Sequence, residues 1–167
     1  MEQQNRPAYG KLILVPALIT LGITLLRLGA EFMDLPPWLA NKKAGGLGAL
    51  IGISWLPPIF GVYFALKLKG ASGKLWWNLC KTLFVYGLAA RIPVVIIMGL
   101  AIYGNWGTHY DAFAGESIAQ ATRTAKFLRG GVMTQLIWWV IIWTVGSGML
   151  TGLIASFIRS RRPPKAP

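Results

Sequence analysis

Arg91 is the residue with the most chemistry to explain. It stands inside a long apolar run, ten residues past Lys81, which at helical rise is about 15 Å. Holding a guanidinium near the middle of a membrane helix costs about 2.5 to 3.5 kcal/mol even on the gentler insertion scale, and from that depth the side chain has no short route to headgroups. The expected acceptors lie in the preceding apolar run. Pro57 and Pro58 would release the carbonyls of Ile53 and Ser54, since a proline in a helix interior removes a hydrogen bond and clashes with the residue four positions earlier. A carboxylate, a pigment carbonyl or a lipid phosphate from a neighbouring molecule is the other source, and a transported or reacting ligand a third.

Arg27 and Glu31 form a second constellation. Four residues apart, they share a helix face and pair near its end. With Asp34 they could wall an outward-facing pocket for a lipid headgroup or small anion. His109, Asp111 and Glu116 are the third, the set that a membrane enzyme acting on a lipid or quinone would use. A single histidine excludes bis-histidine haem within one chain, and no metal site is expected from so thin a ligand set. Cys80, the one cysteine, excludes an intramolecular disulfide. The sequence contains no Walker A loop, nucleophile elbow or HExxH motif. No carboxylate lies in the interior of a predicted helix, which removes the usual proton-coupling group of a small exporter. No catalytic residue is assigned.

The elements that must position these groups are four apolar stretches, residues 12–30, 45–66, 79–103 and 132–158. Each is long enough for a hydrocarbon core that needs about 20 residues of helix. Charged residues make up only 13% of the 167-residue chain, against about 25% in soluble domains. The expected fold is all-α, a single-domain integral membrane four-helix bundle. A short amphipathic helix is expected in the third loop, over 116–129, with Ile118, Ala121, Ala125 and Leu128 on its apolar face. The first stretch reads as a retained helix rather than a signal peptide, because Arg27 adjoins the cleavage-like Leu28-Gly29-Ala30. No internal repeat is evident.

The seven residues Trp55-Leu56-Pro57-Pro58-Ile59-Phe60-Gly61, with the overall tryptophan richness, resemble the Trp- and Pro-rich second helix of the tryptophan-rich sensory (translocator) proteins. That family has five helices, whereas here Lys67-Leu68-Lys69 and two further helices follow. No ligand or residue role is carried over from the resemblance.

Small residues recur every four positions, Ala44, Gly48 and Gly52 on the second helix and Thr144, Gly148, Gly152 and Ser156 on the fourth, which permits close helix packing. The two seams lie at different depths and cannot pair fully with each other, so at least one is expected to face another helix or subunit. Of the eight tryptophans, Trp38, Trp76, Trp77 and Trp106 fall at interfaces. Trp138, Trp139 and Trp143 lie within the fourth helix, Trp139 and Trp143 on one face, and the three form a ridge that could meet a partner helix, a lipid tail, a quinone or a carotenoid. No resident cofactor is otherwise called for.

The net charge of +12 marks topology rather than a nucleic-acid partner, because the basic residues flank the apolar stretches. Arg6, Lys11, Lys67, Lys69, Lys74, Lys81, Arg159, Arg161, Arg162 and Lys165 fall on one side, against Lys42, Lys43, Arg123, Lys126 and Arg129 on the other. Both termini are therefore expected on the cytoplasmic side of an inner membrane. The function expected is a non-catalytic subunit or scaffold of a larger membrane complex, in contact with lipids and partner helices. The alternatives are a small transporter or binder of lipid or anion using Arg91, Arg27 and Glu31, and the outer-face enzyme. Reporter fusions at Gly73 and at the C-terminus should give a cytoplasmic signal, and fusions at Ala40 and Gly115 the opposite. A periplasmic signal at Gly73 would invert the topology.

Overall fold

The computed structural model describes residues 9–35, 53–68, 75–112, 118 and 120–161. Among them the chain is all helical, with four helices and no strands. Helix α1 is Tyr9–Phe32. A 3-10 turn, Ile53–Trp55, leads into α2, Leu56–Lys67. Helix α3 is Leu75–Gly104 and α4 is Arg123–Ser160. Helices α1, α3 and α4 are long and apolar enough to cross a membrane, while α2 has 12 residues, about 18 Å of helix. Residues 45–52 of the second expected helix, including Gly48 and Gly52, lie outside the described residues, as does Ala44.

The helices run alternately up and down. Leu12 and Ile13 of α1, Phe64 and Leu68 of α2, and Leu79 and Leu83 of α3 form one buried cluster, and Gly152 near the end of α4 approaches Leu79. The start of α1, end of α2, start of α3 and end of α4 therefore share one end of the bundle, where Lys11, Lys67, Lys81, Arg159 and Arg161 also gather. At the opposite end Val94, Ile97, Met98 and Ala101 of α3 enclose Tyr110 from the following loop. Large side chains such as Leu26, Met33, Trp138 and Leu150 point outward, a surface suited to lipid.

Two expectations about the helices change. Among the described residues, Pro57 and Pro58 occupy the first turn of α2, where the missing N–H has no intrahelical partner to lose. The second half of the amphipathic segment expected over 116–129 is not a separate helix, because Arg123 to Arg129 is the opening of α4; residues 116, 117 and 119 lie outside the described residues. Thr122 caps that opening, its hydroxyl accepting from the Ala125 N–H at 3.3 Å. Gly130 and Gly131 then pass through the helix without breaking it and are buried. Phe127 lies beside both Gly99 and Gly131, so the glycines make room for a ring between α3 and α4. From Phe127 to Ser147 the helix has the wider π winding. The Thr134 and Thr144 hydroxyls accordingly donate to carbonyls five residues back, at 3.0 and 2.7 Å.

Helices α2 and α4 touch backbone to backbone. A Cβ added at Gly61 would run into the Gly148 carbonyl, and one at Gly152 would stand 2.6 Å from the Gly61 oxygen. The glycine seam of α4 thus packs on Gly61 of α2. The Thr151 hydroxyl, donating to the Pro58 carbonyl at 2.7 Å, ties the same two helices. Gly61→Ala should destabilise the bundle by about 1 to 3 kcal/mol, the range for overpacking. Gly22→Ala should be nearly silent, because open space surrounds the position. Thermal unfolding in detergent reads the difference, and equal midpoints for the two variants would exclude a backbone contact at Gly61.

Candidate functional site

The loop after α3 turns back into the bundle. Asn105, directly after α3, and Asp34, two residues after α1, are both left-handed, with φ of 53° and 55°. Asparagine and aspartate tolerate that conformation better than other non-glycine residues. The two ends meet through the rings of Phe32 and Trp106, 5.4 Å between centroids. Asp111 closes the loop on itself, accepting from the Gly107 N–H at 2.9 Å and the Thr108 hydroxyl at 3.2 Å. Its carboxylate is committed to the turn. Glu116 lies outside the described residues.

His109 is drawn to Glu31. Its ring Nδ1 meets Glu31 Oε1, and its backbone N–H donates to Oε2 at 2.9 Å. The Glu31 side chain is only 1% exposed, so the first helix holds the loop through a buried carboxylate. The His109 and Tyr110 rings lie 3.9 Å apart. Burial pushes the Tyr110 phenol up to about 12, with Glu31 adding to the rise and Arg27 opposing it. The phenol therefore keeps its proton at ordinary pH and donates to the Thr24 carbonyl at 3.4 Å.

Beneath this plug is a cavity of about 200 Å³. Arg27 lines it from α1, Ser54 from the 3-10 turn, Arg91 from α3, and Gln135 and Trp139 from α4, with His109 and Tyr110 above. Arg91 is 5% exposed. Its Nη1 donates to Gln135 Oε1 at 3.3 Å, and its guanidinium carbon stands 4.3 Å from the centre of the Trp139 ring, within cation–π range. The expected bond to the Ile53 or Ser54 carbonyl is replaced by these contacts. The Ser54 carbonyl accepts from the Trp143 indole at 2.8 Å instead. Trp139 and Trp143 meet edge to face, 6.3 Å between centroids, while Trp138 points outward. Gly148 and Gly152 lie away from the cavity, against α2 and α3.

Of the residues that the sequence singles out, Arg91, Arg27, Ser54 and Trp139 come together around one space, while Glu31 stands behind it, bonded to His109. Sequence reasoning missed Gln135 as the partner of Arg91, although Gln135 is the sole amide or charged side chain between residues 132 and 158. It also missed Thr20 and Thr24, buried on α1. Their spacing of four was the available signal, and Thr20 hydrogen-bonds the Tyr86 hydroxyl at 2.8 Å.

Comparison of the chain with protein-family models, curated proteins and solved structures gives no match. Any functional reading therefore stands on the geometry alone. Removing the ring that meets Glu31 tests how firmly the plug is held. His109→Ala leaves the buried carboxylate short of a partner and should cost about 1 to 3 kcal/mol. The effect would register as a lower unfolding midpoint together with faster proteolysis within residues 105–112. An unchanged midpoint and cleavage rate would show that the contact does not secure the loop.

Proposed function

We propose that this chain is a four-helix membrane protein that binds a small anionic group, a carboxylate or phosphate, in the cavity beneath the His109 plug. In this reading α2 and the residues before it complete a fourth crossing, both termini face the cytoplasm of a cell with an inner membrane, and the cavity lies toward the outer face. The observation that carries it is the state of Arg91. A buried guanidinium meets a neutral amide and an indole face, and the cavity it lines is shared with Arg27. A guanidinium whose own contacts are neutral, beside a space of low dielectric, makes the potential there positive. An anion there would form charge-assisted hydrogen bonds, which are shorter and stronger than neutral ones. Ser54 and Tyr110 add polar groups at the wall.

The same residues favour binding over turnover. Arginine is a recognition group that stays protonated, Asp111 is occupied by its own turn, and Glu31 is occupied by His109. The subunit role expected from sequence drew part of its force from Arg91 needing an acceptor on another molecule. Gln135 and Trp139 supply neutral contacts within the chain, so that argument weakens and binding becomes the leading reading. Titration calorimetry of the detergent-solubilised protein with inorganic phosphate and with acetate tests it. Binding of at least one anion is expected, weakened about tenfold or more in Arg91→Gln, since a hydrogen bond to a charged group contributes about 1.5 to 3 kcal/mol. Absence of binding to both anions, or equal affinity in the folded variant, would overturn the proposal.

A further inference from the structure

A second hollow lies at the opposite end of the bundle, and the anion-binding reading does not use it. It is a groove of about 530 Å³ between the first halves of α1 and α3. Ile13, Leu14 and Ala17 line one wall, Val85 and Ala89 the other, and Gly10, Asn78 and Lys81 stand toward the helix starts. From Asn78 to Ala89 the α3 wall extends about 16 Å at helical rise, close to one leaflet of a hydrocarbon core about 30 Å thick. Small residues keep the groove open. At Gly10 no heavy atom lies within 4 Å of the place a Cβ would take. Thr82, also on the wall, has its hydroxyl turned back to the Asn78 carbonyl at 2.7 Å, which leaves the interior apolar in character.

The mouth of the groove is cationic. Lys81 is exposed, and its ammonium lies 5.0 Å from the centre of the Trp77 ring, one turn nearer the helix start. The charge is thus directed toward the membrane surface, as snorkelling requires. Lys11, Lys67, Arg159 and Arg161 share this end, while the described acids Glu31, Asp34 and Asp111 all lie at the other. An apolar channel one leaflet deep, with a cation at its rim and an excess of positive charge around it, matches a molecule with an acyl chain and a negative headgroup. We propose that the groove binds one anionic phospholipid, an acyl chain between α1 and α3 and the headgroup phosphate at Lys81. This site is separate from the cavity at Arg91, and each could fail without the other.

Native mass spectrometry of the full chain, released from micelles holding equal amounts of phosphatidylglycerol and phosphatidylcholine, tests the proposal. The wild type should retain one phosphatidylglycerol per chain in preference to phosphatidylcholine by about fivefold, the selectivity expected from one headgroup-level cation. Lys81→Gln should bring the ratio near one, and Lys81→Arg should keep it. Gly10→Phe should fill the groove and lower retention of both lipids, whereas Gly22→Phe, placed in open space further along α1, should leave both unchanged. Equal retention of the two lipids by the wild type, or phosphatidylglycerol retention indifferent to Lys81→Gln, would overturn the proposal. If Gly10→Phe does not fold, the Lys81 variants decide the matter, because an exposed side chain is dispensable for folding.

Discussion

The close approach of α2 and α4 at Gly61 determines much of what stands above it. With no Cβ on Gly61, Gly148 or Gly152, the two backbones come near enough for side chains of α4 to reach carbonyls of the α2 entry. Thr151 takes the Pro58 oxygen and Trp143 takes the Ser54 oxygen. Of these two bonds, the one from Trp143 satisfies a carbonyl that Pro58, which has no N–H, leaves without a helical donor, and this matters most where water is scarce. Both bonds also hold the register of α4, so that Gln135 and Trp139, further up the same helix, arrive beside Arg91. The surroundings of the buried cation are thus set by a contact between glycines many residues away.

Polar and apolar groups divide the bundle lengthwise. Toward the basic end the core is aromatic and aliphatic, with Phe60, Phe64 and Tyr86 in mutual ring contact. From Tyr86 upward the interior changes character, through Thr20 and Thr24 to Arg91, Gln135 and the Glu31–His109 pair. Among the described residues every buried side-chain nitrogen and oxygen has a hydrogen-bond partner. This is the condition under which buried polar groups order a core rather than loosen it.

Helix existence was legible because a long apolar run is a local, additive property, and α1 and α3 extend only a few residues past the ends expected for them. The start of α4 was misplaced because Gly130 and Gly131 look like a break. In the folded chain they border Phe127, and the Thr122 cap, readable in principle, was the better boundary signal. The proline pair enters α2 behind a 3-10 turn that no propensity signal in the sequence announces. Around the cavity the residue types were legible and their pairings were not. Whether Arg91 meets the Ser54 carbonyl or Gln135 depends on how two helices rotate against each other, and no single stretch encodes that. The re-entry of the loop, with Glu31 reaching across to His109 seventy-eight positions away, is likewise a tertiary fact.

The length of α3 has a further consequence. Its 30 residues make a rod of about 45 Å, half again the thickness of a typical hydrocarbon layer. A bilayer meets such a rod by letting it lean or by letting one end emerge, each at a cost of fractions of a kcal/mol per Å of mismatch. Trp76 and Trp77 favour anchoring the lower end at the headgroups, which would send the excess to the upper end. Arg91 would then sit well above the midplane, and the space beneath the His109 plug would become a shallow vestibule. Bilayer thickness would tune its depth, thinner membranes lifting it toward water and thicker ones drowning it in lipid.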